Sequence, residues 1–189
     1  MVNHLTMPSI ELFIDMNVVE PTDECFDEYF DVKRDFGKLV RRVTELIGFD
    51  RTFDVLMGRL DREIALAKEH PNNPVVWVNI HGVLVAIEQV LRNMDAMDLH
   101  KIERLLFIVF ELPQDKIAFR LIVTEIIIDV SFCLGELAMD PTPQLIAETQ
   151  KYFTYVIEGL QIKVARHQSA LTLVKLVQKT KSYMHQFCD

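Results

Sequence analysis

Apolar residues return at helical intervals along nearly the whole chain, and each helical run is closed by a recognisable stop. From Phe36, the residues Leu39, Val40, Val43, Leu46 and Ile47 recur at i+3, i+4, i+7, i+10 and i+11, and Gly48 then offers the left-handed conformation that ends a helix. This predicts a first helix over about Phe26 to Ile47. Asp50 is placed to cap the next, in which Phe53, Leu56, Met57, Leu60, Ile64 and Ala67 form one stripe while Arg59, Asp61, Arg62 and Glu63 turn mostly to water. Asn73-Pro74 is a cap residue followed by a first-turn proline and opens a helix through Trp77, Ile80, Val83, Leu84, Ile87 and Leu91. A shorter helix is expected over about Asp98 to Glu111. A strongly apolar one runs from Asp115 to Glu136, after the break at Pro113. Thr142-Pro143 repeats the opening device for a helix ending at Gly159, and Leu173, Leu176, Val177, Thr180, Tyr183, Met184 and Phe187 mark the last.

No segment alternates with a period of two, so the fold class is all-α. The helices starting near Asp50, Asp98 and Thr142 are amphipathic or short, while those near Pro74 and Asp115 are apolar nearly all round, as inner helices flanked on both sides would be. The former begin 48 and 44 residues apart, close to the ~40 to 47 of HEAT and armadillo units. The expected architecture is a HEAT-like α-solenoid of about three antiparallel helix pairs preceded by a half-pair, with a helical bundle as the alternative. Residues 1–24 form an acidic N-terminal segment, and 25–189 the helical repeat domain.

Half of the 189 residues are apolar, enough for a substantial core. The net charge of −8 is unevenly placed. The first 31 residues hold eight carboxylates (Glu11, Asp15, Glu20, Asp23, Glu24, Asp27, Glu28, Asp31) and no Lys or Arg. Such a surface disfavours nucleic acid and attracts basic protein segments. Three widely spaced cysteines (Cys25, Cys133, Cys188) do not make a disulfide scaffold, the N-terminus lacks the parts of a signal peptide, and Leu121 to Leu134 is too short to span a bilayer. Neither nucleic acid nor membrane is therefore an expected partner, and the cytoplasm and nucleus are the expected compartments.

Catalytic groupings are not evident. The six histidines form no metal-ligand signature, and the scattered glycines form no phosphate loop, so no cofactor and no metal is expected. Glu125 and Asp129, at i and i+4 of an apolar helix, suit acid-base work in principle but fit better as its one solvated strip or as acceptors of hydrogen bonds from a neighbouring repeat. Cys133 reads as a small hydrophobe, and Trp77 as a core side chain rather than an exposed binding residue. From Gln161 to Cys188 the chain has Lys163, Arg166, Lys175, Lys179 and Lys181 and no acidic residue, either a solvated face or a basic strip for an acidic partner.

Several segments resemble the middle of importin-β (karyopherin-β) nuclear transport receptors, in the transportin-SR and importin-thirteen branch. Phe30, Arg34 and Gly48 in FDVKRDFGKLVRRVTELIG are similar to a Phe-x-x-x-Arg segment and a helix ending at Gly. Trp77 and Leu84 resemble a Trp-x-x-x-Glu-Ala-x-Leu helix, with His81 and Gly82 in place of Glu and Ala. Leu112-Pro113 and the helix through Ile126 and Asp129 look like the next repeat, and Tyr155 to Met184 like the subsequent Gly-Leu turn and helix.

The resemblance implies a non-enzymatic protein-binding module of nucleocytoplasmic transport whose partners are protein cargoes, among them basic or arginine-serine segments. The family's N-terminal Ran-binding repeats have no counterpart here, which leaves Ran GTPase open as a partner and suggests a fragment, an isoform or a truncated paralogue. Candidate partner-binding residues are Asp23, Glu24, Asp27 and Glu28 on the acidic side and Lys163, Arg166, Lys175 and Lys179 on the basic side. A general HEAT scaffold and a helical-bundle enzyme or ligand carrier are the alternatives. Val177, Tyr183, Met184 and Phe187, with nothing after Asp189 to cover them, predict self-association through the last helix.

Overall fold

The computed structural model describes the backbone of residues 23–92, 99–113, 116–137, 143–163 and 165–181, and side chains within 33–92, 101–113, 116–131, 146–147, 149–163 and 165–181. The described residues are all-α, with seven helices: α1 (Asp23–Ile47), α2 (Phe49–Glu69), α3 (Pro74–Leu91), α4 (Leu99–Phe110), α5 (Ile117–Leu137), α6 (Pro143–Gly159) and α7 (Arg166–Thr180). Two compact units divide the chain. The first takes Met1–Asp95 and Leu112–Ile122, the second Ala96–Glu111 and Val123–Asp189.

In the first unit Gly48 alone separates α1 from α2. Its φ of +90°, unfavourable for any residue with a Cβ, turns the chain within one residue. Asp50 does not cap α2: Gly48 occupies the cap position, and Asp50 sits inside the first turn, where its charge faces the positive helix end. The α2 stripe is covered at Phe53, Met57, Leu60 and Ala67. Glu63 departs from expectation, being buried rather than turned to water. At the α2–α3 turn the Asn73 side chain accepts from the Val75 amide at 3.1 Å, with Pro74 at the first helical position. Both α1 and α2 pack on α3, and every α3 residue from Ile80 to Leu91 is buried. Enclosure on several sides is why this helix is apolar all round.

Trp77 is half-buried rather than a core residue. Its indole Nε1 donates to the Pro71 carbonyl at 2.8 Å, and its ring meets the edge of Phe119, from the start of α5, with centroids 5.9 Å apart. A ring with a polar atom to satisfy sits at the core margin, where a carbonyl is in reach.

In the second unit α4 buries Ile102, Leu105, Leu106 and Val109, α5 buries Val123, Ile126, Ile127 and Val130, and α6 packs on α7. Phe110 stacks on Tyr152 (centroids 5.8 Å, 8° between planes) and meets Tyr155 edge-on at 5.4 Å. The buried face of α7 is Ser169, Thr172, Leu176 and Thr180. The Thr172 and Thr180 hydroxyls donate to carbonyls one turn back, Gln168 and Leu176, each at 2.8 Å, so these hydroxyls are satisfied within their own helix. Along the described part of α5, Ile117, Leu121, Glu125 and Asp129 form a half-buried line at intervals of four, beside the buried Ala118, Ile122, Ile126 and Val130.

Candidate functional site

The most unusual chemistry lies in the first unit, where α1 crosses α3. Glu88, fully buried in the apolar α3, has Lys33 Nζ 3.7 Å from its Oε2 and the Arg92 guanidinium, one turn on, against its Oε1. Gln89 Nε2 donates to Glu88 Oε2 at 2.5 Å. Lys33 is itself buried and Arg92 is half-exposed, so one carboxylate is held between two cations, one of them out of water. Gly37 makes the crossing possible: a Cβ there would stand 2.9 Å from Gln89 Cδ and closer still to its Oε1. A second buried carboxylate, Glu63 on α2, pairs with Arg59 of the preceding turn and accepts from Asn79 Nδ2 of α3 at 3.2 Å.

His81, two turns before Glu88 on α3, is buried, with its ring 6.3 Å from that of Phe119. Burial and the nearby positive charge of Lys33 push its pKa down to about 3, so it is neutral at physiological pH. A neutral imidazole, a carboxylate held by two cations and an amide with no room to move form an arrangement built to hold position rather than to exchange protons. It pins α1 to α3.

The sequence-predicted residues fall elsewhere. Asp23, Glu24, Asp27 and Glu28 lie in the first turns of α1, and their side chains are outside the described residues. Lys163, Arg166 and Lys175 are exposed, and Lys179 is half-buried. They do not make one strip. At ~100° per residue, Lys175 and Lys179 flank one edge of α7's outer face and Arg166 lies toward the other. The centre is mixed, with Leu171, Val174 and Val177 exposed among His167, Gln178 and Lys181. Arg166 Nε donates to the Leu160 carbonyl at 2.9 Å, which ties it to the turn after α6. Glu125 and Asp129 lie on the half-buried line of α5, and Asp129 Oδ2 is buried, so this line is not the solvated strip expected of it. The side chains of Cys25, Cys133, Cys188, Tyr183, Met184 and Phe187 are outside the described residues. Among the described residues no three His, Cys, Asp or Glu side chains converge to hold a metal ion. One described helix, α3, is long and apolar enough to cross a membrane, and most of it is buried within the protein.

Sequence reasoning passed over Lys33, Gly37, Glu88 and Gln89, and sent Glu63 to water. Two signals were present: a Glu-Gln pair inside an otherwise apolar helix, and a glycine in the middle of one.

Compared with protein-family models, curated proteins and solved structures, the chain matches none. The described residues make an all-α protein with buried ion pairs at Glu63 and Glu88 and exposed aliphatic side chains on α1 and α7.

Proposed function

We propose that the chain is a non-enzymatic protein-binding module, a HEAT-like stack of helix pairs of the kind found in the nuclear import receptors that its residues resemble, working between cytoplasm and nucleus. The observation that carries the binding reading is the outer face of α7: Leu171, Val174 and Val177 are exposed there among His167, Gln178 and Lys181, with Lys175 and Arg166 at the edges and the half-buried Lys179 beyond Lys175. Aliphatic side chains bordered by cations fit an amphipathic acidic segment of another protein, whose apolar side would be desolvated against the leucine and valines while its carboxylates meet the rim. The stacked-repeat reading draws support from the starts of α2, α4 and α6 at Phe49, Leu99 and Pro143, which are 50 and 44 residues apart. Arginine-serine cargo, which the resemblance implies for Asp23, Glu24, Asp27 and Glu28, is the complementary ligand.

Fluorescence anisotropy with two labelled peptides tests this, one a Glu/Leu amphipathic helix and the other an arginine-serine repeat. The acidic peptide should bind the wild type and lose at least roughly tenfold in affinity against Lys175→Glu with Lys179→Glu. Absence of binding by either peptide at low salt would defeat the reading.

A further inference from the structure

Helix α1 has three longitudinal faces. One, Lys33, Gly37, Val40 and Thr44, is buried. A second, with Arg34, Lys38, Arg41, Arg42 and Glu45, is exposed and charged. Between them runs an apolar line, Phe36, Leu39, Val43, Leu46 and Ile47, which sequence periodicity alone would send to the core. The structure leaves most of it in water: Leu39 is 46% exposed, Val43 39%, Leu46 84% and Ile47 45%. Single exposed aliphatics are ordinary; four within the last three turns of one helix form a continuous patch.

Its spacing is that of a coiled coil. Residues 36, 39, 43 and 46 alternate by three and four, and by spacing alone the same alternation runs back through Val32, Tyr29 and Cys25 within the same helix. Seven consecutive positions over three heptads make a narrow seam, unlike the wider stripe of a globular amphipathic helix.

Charge identifies what covers it. The first half of α1 carries Asp23, Glu24, Asp27, Glu28 and Asp31 with no cation, and the second half carries Lys33, Arg34, Lys38, Arg41 and Arg42 against Asp35 and Glu45. Such a helix is complementary to itself only when reversed. We propose that this seam pairs antiparallel with α1 of a second copy of the chain, giving a homodimer. The register sets Cys25 opposite Val43, Tyr29 opposite Leu39 and Val32 opposite Phe36 of the second copy, and brings Glu28 and Arg42 to neighbouring flank positions on both sides of the two-fold axis. Asp35 falls near that axis beside its own counterpart. Lys38 on its own helix neutralises it, with Nζ 2.8 Å from Oδ1, and Arg34 lies 4.0 Å away. A parallel pair would instead set the two acidic halves side by side, a like-charge contact that disfavours it. This interface is independent of the α7 face assigned above.

Sedimentation equilibrium of the full chain tests the pairing. The wild type should be dimeric at ~100 μM and dissociate toward ~1 μM. L39E with V43E, both at exposed positions, should keep the wild-type circular dichroism melt and sediment as a monomer. R42E and E28R should each weaken the dimer roughly tenfold, by turning two attractive pairs repulsive, and the double reversal should restore it. V174D on α7 should leave the dimer intact. A monomeric wild type at ~100 μM, a dimer that survives L39E with V43E, a double reversal that fails to restore association, or a dimer abolished by V174D would each overturn the proposal.

Discussion

The side-chain amide of Gln89 occupies the space that a side chain at residue 37 would need, its Cδ 2.9 Å from where a Gly37 Cβ would be and its Oε1 nearer still. Glycine in a helix interior costs up to ~1 kcal/mol relative to alanine, so Gly37→Ala would be stabilising if only α1 mattered. Gln89 is buried and bonded to Glu88, however, and cannot swing aside without breaking the cluster. Gly37→Ala should therefore destabilise by about 1 to 3 kcal/mol in urea denaturation. In a Gln89→Ala background the same change should become neutral or stabilising. Destabilisation of equal size in both backgrounds would show that Gln89 is not the obstacle.

Removing one side of the buried ion pair should cost far more than removing both. Lys33→Met leaves the buried Glu88 with the half-exposed Arg92 in place of two flanking cations and should cost ~3 to 5 kcal/mol. Lys33→Met with Glu88→Leu replaces the pair by apolar volume and should recover most of that loss. A double mutant as unstable as the sum of the singles would mean that the two residues do not interact.

Acid should destabilise the first unit through His81. Its folded pKa of about 3 lies below the unfolded value near 6.5, so the unfolded chain binds the proton first as pH falls. Stability should thus decline through this window, by up to ~1.4 kcal/mol per pH unit from this group, and His81→Phe should flatten the slope between about pH 6 and 4. An unchanged slope in the variant would place the acid sensitivity elsewhere.

Two more glycines should respond in opposite directions. Gly58, inside α2, has open space where a Cβ would go, and Gly58→Ala should stabilise by ~0.5 to 1 kcal/mol. Gly48 also has open space, but its φ of +90° strains any other residue, and Gly48→Ala should destabilise by ~1 kcal/mol or more. Thermal melts of the two variants shifting the same way would contradict this assignment.

Local signals foretold local features. Asn73-Pro74 opens α3 as its chemistry requires, Gly159 ends α6, and the burial of Phe53, Met57, Leu60 and Ala67 reflects their shared face. What escaped depends on residues distant in sequence. Glu88 looks like a misplaced carboxylate until α1 delivers Lys33, and Glu63 resembles any surface glutamate until Asn79 of the next helix reaches it. The α1 stripe failed differently: periodicity reports that an apolar face exists, but the helix turned its smaller and more polar side, Lys33, Gly37, Val40 and Thr44, toward the protein and left the larger aliphatics outside. Of the candidate binding residues, the sequence located Arg166, Lys175 and Lys179 along the last helix but not the exposed aliphatics among them, because Leu171 and Val174 look like core positions until the fold chooses the opposite face.

The enclosure of α3 makes the order of synthesis matter. This helix, Pro74–Leu91, has the length and apolarity of a membrane-crossing segment, and it leaves the ribosome after the two helices that cover it. By then α1 and α2 are present to sheathe it and to bring Lys33 to Glu88. A transcript that skipped α1 would deliver the greasiest stretch of the first unit with part of its cover missing and its carboxylate short of one cation. Such a polypeptide would be more exposed to aggregation, because α1 supplies part of the cover over α3 and one of the cations beside Glu88.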